Sequence, residues 1–122
     1  MKLHRRIFLA TALMAAAFFA APAAFAHAHP KVMTPAPDSV GASPATVSIT
    51  FSEAIEPKFS SINVTDEKGK QCNTATSMPV AGDPTTLTLA LPPLPPGVYT
   101  VHWANAAVDG HRMESTYKFT VK

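Results

Sequence analysis

Apolar and polar residues alternate in short runs along most of the chain beyond residue 30. Val47-Ser48-Ile49-Thr50-Phe51 has period two, as do Ile62-Asn63-Val64, Leu87-Thr88-Leu89-Ala90-Leu91, Tyr99-Thr100-Val101-His102-Trp103 and Tyr117-Lys118-Phe119-Thr120-Val121. Successive side chains of an extended chain point to opposite faces, so each run predicts a strand with one face inward. Val32 and Met33 begin a further strand, and the prolines around them make it an edge candidate. Turn signals separate the runs. Glu67-Lys68-Gly69-Lys70 predicts a hairpin, Gly82-Asp83-Pro84 a break, and Asp109-Gly110 a turn or bulge before the last strand. Pro92-Pro93-Leu94-Pro95-Pro96-Gly97 is a stiff connector whose prolines cannot donate to a ladder. About seven short strands at this spacing predict an all-β fold, an immunoglobulin-like Greek-key β-sandwich or barrel. Trp103, Tyr99 and Tyr117 are expected in its core. No helix-length amphipathic pattern and no glycine-rich phosphate loop is present, which argues against Rossmann, P-loop and TIM-barrel chemistry.

The first stretch reads differently. Met1 to Arg6 is basic, Ile7 to Ala21 is an apolar run, and Ala24-Phe25-Ala26 puts small residues where a signal peptidase cuts. The run is too short for a membrane anchor, which needs about 20 residues. Residues 1–26 are therefore expected to be a cleaved signal peptide and 27–122 one exported domain. Removing 26 of the 122 residues leaves 96. That stretch carries Lys2, Arg5 and Arg6 and no acid, so its loss takes the net charge from +2 to −1. Nucleic-acid binding through a basic patch loses its support, and membrane contact is expected only through a partner. Cys72 is alone, so no internal disulfide can form.

Cleavage after Ala26 exposes His27-Ala28-His29. The amine and ring Nδ1 of an N-terminal histidine can close one chelate ring on a metal, and the amine, with a reference pKa of about 8, gives up its proton readily. Nitrogen donors with a carboxylate suit Cu(II). A second mode is open to the same residues: the amine, two deprotonated backbone amides and the His29 ring can wrap Cu(II) in a plane. Asp109-Gly110-His111 is the other candidate. In an extended segment residues i and i+2 face the same way, so one carboxylate and one imidazole would project together. His102 lies between inward-facing Val101 and Trp103 and is expected to face out. Cys72 and Met78 are sparse material for a Cu(I) site.

These residues, in this order, resemble the CopC-like copper-resistance proteins, small periplasmic copper carriers. The resemblance runs through His27-Ala28-His29-Pro30, Thr34-Pro35-Ala36 with Asp38-Ser39, and Ser43-Pro44 leading to Ile49-Thr50-Phe51-Ser52-Glu53. It continues in Gly97 to Trp103, Asp109-Gly110-His111 and Tyr117 to Val121. It implies a Greek-key barrel or sandwich, a periplasmic location, and a Cu(II) site made by His27, Asp109 and His111, with His29 fitting the subgroup that begins His-x-His. It also implies a role in copper resistance, homeostasis or delivery to a CopD-type inner-membrane copper transporter. A monomer and a binding role without catalysis are expected. The competing classes are a copper-dependent oxidative enzyme with an N-terminal histidine brace and a metal-free sandwich interaction module. Some relatives hold Cu(I) in a methionine-rich loop with a histidine; the stretch from Gln71 to Val80 has only Cys72 and Met78.

Overall fold

The computed structural model describes residues 27–122. The expected signal peptide, residues 1–26, lies outside them. Eight strands form: β1 (Pro30–Thr34), β2 (Val40–Gly41), β3 (Thr46–Phe51), β4 (Ser61–Thr65), β5 (Met78–Val80), β6 (Asp83–Ala90), β7 (Gly97–Ala106) and β8 (Arg112–Val121). One 3₁₀ turn, Pro57–Phe59, precedes β4. The strands make two four-stranded sheets, β1-β3-β6-β5 and β2-β8-β7-β4, packed as a sandwich.

The period-two alternation explains the packing. Val47, Ile49 and Phe51 of β3 and Leu87 and Leu89 of β6 are buried against Ile62 and Val64 of β4, Val101 and Trp103 of β7 and Phe119 of β8. Each large side chain fully removed from water contributes about 1.5–3 kcal/mol. Phe51 meets Trp103 across the sheets with ring centres 5.5 Å apart. Tyr99 stacks on Phe119 at 5.6 Å and donates its hydroxyl to the Pro95 carbonyl at 2.6 Å. Tyr117 is half-buried, and its hydroxyl has no hydrogen-bond partner among the described residues. The polar phase faces outward: His102 is exposed, with Nε2 2.9 Å from Thr65 Oγ1.

Local expectations are refined. Eight strands form where about seven were expected; β2 and β5 are only two and three residues long and carry no readable alternation. The break expected at Gly82-Asp83-Pro84 is a turn at Ala81-Gly82, with Gly82 at φ +78°, and β6 already begins at Asp83. Pro84 is tolerated there because the β5–β6 pairing is irregular between Pro79 and Val80 and needs no amide from it. The Glu67–Lys70 hairpin is a tight turn capped by Asp66, but the returning chain pairs with β4 only at the Thr65–Gln71 bridge.

Candidate metal centre

The N-terminal end of the domain and the turn between β7 and β8 meet at one end of the sandwich. β1 runs antiparallel to β3, with Pro30 opposite Phe51. The pairing continues one step outward, where the Ser52 amide donates to the His29 carbonyl at 2.7 Å. That places His27-Ala28-His29 at the rim of the first sheet. In the other sheet, β7 ends at Ala106, and the chain returns into β8 through a tight turn. Gly110 N–H donates to the Ala107 carbonyl at 2.9 Å, and Ala107 N–H to the His111 carbonyl at 2.8 Å. Gly110 has φ +89°, a left-handed conformation that a side chain resists.

This turn corrects the expected origin of the Asp109–His111 pairing. The two side chains converge, but the segment is not extended. Asp109 Oδ1 accepts the His111 backbone N–H at 3.0 Å, as turn aspartates commonly do two residues on. The other carboxylate oxygen lies 3.1 Å from His111 Nδ1. The backbone N–H and then the ring of His111 hold the Asp109 carboxyl below the ordinary carboxylate range. An ionised carboxylate on Nδ1 fixes the ring orientation and leaves Nε2 as the outward donor. Both side chains remain accessible, at 42 % and 44 % of full exposure.

The His27 ring stands against the His111 ring, centres 5.3 Å apart and nearly perpendicular. Two imidazoles sharing one ion through nitrogens about 2.0 Å away have centres roughly 4.5 Å apart at right angles and roughly 6.3 Å apart when opposed. The observed spacing falls inside that window. His29 is exposed, and its ring lies 6.1 Å from His27, near the outer limit. Asp109, His111 and His27 are thus neighbours, and His29 borders them. Among the described residues, no group of three or more His, Cys, Asp or Glu side chains is already gathered for an ion. Closing such a site takes a rearrangement of these side chains, or a donor that is not a side chain.

The remaining candidates lie elsewhere. Cys72 is half-buried beside Tyr99 and Pro92–Pro95. Tyr99 is six residues along β7 from Asn105, about 20 Å at the usual strand rise. Burial, then the Asp66 carboxylate, pushes the Cys72 thiol up, away from the thiolate a soft metal requires. Met78 is exposed at the sheet edge opposite Thr88.

Two residues to which the sequence reading gave no role at the site hold the N-terminal tripeptide in place. Ser52 Oγ accepts the His29 N–H at 2.9 Å and donates to the His27 carbonyl at 3.2 Å. Asn105 Nδ2 donates to the Ala28 carbonyl at 2.8 Å, linking β7 of one sheet to the rim of the other. The signal for Asn105 was present: it continues the inward phase of Tyr99, Val101 and Trp103, an amide on a face otherwise apolar.

Residues 31–122 match the CopC domain family. The chain belongs to that family. Among its relatives, Protein YobA of Escherichia coli strain K12 is 36 % identical over 103 residues, 83 % of each chain. Copper resistance protein C of Escherichia coli is 34 % identical over 128 aligned positions, covering 98 % of both. The crystal structure of CopC from Methylosinus trichosporium OB3b superposes with a TM-score of 0.74 at 34 % identity, covering 79 % of this chain and 94 % of that one. The CopC assignment agrees with the resemblance read from the residues, and the two-sheet, all-β architecture agrees with the fold class expected from the alternation.

Proposed function

We propose that the mature chain, beginning at His27, binds one cupric ion as cargo in the periplasm and serves copper resistance. His27 supplies its α-amine and ring, His111 its imidazole, and Asp109 its carboxylate while orienting His111. His29 borders the site as a further imidazole. The observation that carries this reading is the 5.3 Å approach of the His27 and His111 rings. They lie 84 positions apart in the sequence, and a carboxylate already holds the second ring. Relatives named copper resistance protein C support copper as the ion. Nitrogen and carboxylate donors favour the cupric state.

The function is carriage rather than catalysis. A monomer would hold the ion and pass it to an inner-membrane transporter of the CopD type. Loading would fasten the N-terminal rim to the β7–β8 turn and stabilise the fold, since an ion that binds only the native state adds about 2.7 kcal/mol at one hundred times its Kd. Calorimetric titration of the exported protein with Cu(II) tests the assignment. Asp109→Ala and His111→Ala should each weaken binding by about tenfold or more. Unchanged affinity in both variants would refute it.

A further inference from the structure

Resting on that reading, we propose that Ser52 and Asn105 are positioning residues that select how copper is held. They keep the backbone of His27-Ala28-His29 engaged with the fold, so that Cu(II) takes the α-amine and side chains and the planar wrap through backbone amides is suppressed.

The planar mode requires the Ala28 and His29 amides to lose their protons and turn their nitrogens onto the ion. The structure commits the second of these amides, and the carbonyls on either side of it, elsewhere. The His29 N–H is given to Ser52 Oγ, and the same hydroxyl donates to the His27 carbonyl. The Ser52 amide donates to the His29 carbonyl. The Ala28 carbonyl accepts from Asn105. The Ala28 side chain is in the core at 1 % exposure. Wrapping the tripeptide in a plane would break the His29–Ser52 bond directly and pull Ala28 out of the core.

Asn105 itself points the same way. It is fully buried, at 0 % exposure. Its bond to the Ala28 carbonyl fixes which amide atom is nitrogen, because a carbonyl can only accept. The Oδ1 that remains has no hydrogen-bond partner among the described residues. A buried acceptor left unsatisfied weakens a fold, so core stability does not account for an asparagine here. Tethering the strand that carries His27 does.

The test compares Cu(II) electron paramagnetic resonance and visible absorption of four samples: wild type exported from cells with its first residue fixed by mass, His111→Ala, the double variant Ser52→Ala/Asn105→Leu, and the synthetic amide His-Ala-His. The wild-type spectrum should differ from the peptide's and change on His111→Ala. The double variant should move to the peptide's spectrum, its absorption shifted to shorter wavelength by the stronger field of two amide nitrogens. Ser52→Thr, which keeps the hydroxyl, should retain the wild-type spectrum. A folded double variant with the wild-type spectrum overturns the proposal. So does a wild type with the peptide's spectrum, which would leave copper binding intact; a wild type that binds no Cu(II) overturns the copper reading itself. A second measurement needs no variant. Hydrogen exchange at the His29 amide of metal-free wild type should be at least about tenfold slower than in the peptide, and exchange at the peptide's rate overturns the proposal.

Discussion

Asn105→Leu should leave the metal-free protein about as stable as wild type, or more so, while weakening copper binding. Leucine has the same heavy-atom count and branching, so the site keeps its shape. Three effects compete. The Ala28 carbonyl, on a residue only 1 % exposed, loses its donor, which costs about 1–3 kcal/mol. The unpartnered Oδ1 disappears, which returns about 1–3 kcal/mol. Two polar atoms become methyl groups in a fully buried position, worth about 0.8 kcal/mol each. The first two effects nearly cancel, so the net change should be stabilising and below about 2 kcal/mol. At about 4–8 °C per kcal/mol for a domain of this size, the melting temperature should stay level or rise by up to about 15 °C. Urea unfolding of metal-free protein gives the free energy, and titration with Cu(II) gives the affinity. A folded variant destabilised by more than about 3 kcal/mol would show that the tether is structural and that the accounting is wrong.

Tyr117→Phe should raise stability by about 1 kcal/mol, because it removes a buried hydroxyl without a partner among the described residues. In the wild type, burial pushes Tyr117 ionisation up to about 12, which an ultraviolet pH titration will detect. Asp83 is held below the ordinary carboxylate range by the Thr85 hydroxyl first, then by the Thr86 hydroxyl and the Thr85 amide. A depressed carboxylate stabilises above its unfolded pKa, about 3.9, and that stabilisation is lost as pH falls through the folded value. Asp83→Asn should therefore be less stable than wild type at neutral pH, with the gap closing in acid when melts are compared across pH. Gly110→Ala adds a Cβ that meets nothing within 4 Å, so its cost is conformational, about 1–2 kcal/mol from the φ of +89°. An unchanged denaturation midpoint would contradict that account of the turn.

The strands with one buried face were legible because burial writes a period of two into the sequence. Thr46–Phe51 and Ser61–Thr65 extend the alternating runs by one residue or one at each end. Val40–Gly41 and Met78–Val80 were not legible, because two or three residues hold no periodicity and owe their conformation to the neighbours they pair with. At the site, the pairing of Asp109 with His111 was expected for the wrong local reason: strand alternation was invoked where a side-chain-capped turn does the work. The meeting of His27 with His111 depends on which sheet ends face each other, information that local pattern lacks and that came from resemblance. Ser52 and Asn105 were missed because an anchor is recognisable only once its partner carbonyls and amides are placed.

The central claim is that the α-nitrogen of His27 is a copper donor. Adding a single glycine before His27 removes that amine from the site while leaving every side chain in place. Exported protein that begins at His27 by mass should bind one Cu(II), and the glycine-extended protein should bind at least about tenfold more weakly, the scale of a lost determinant of a metal site. Equal affinities for the two forms, or a mature protein that begins at another residue and binds equally well, would contradict the account.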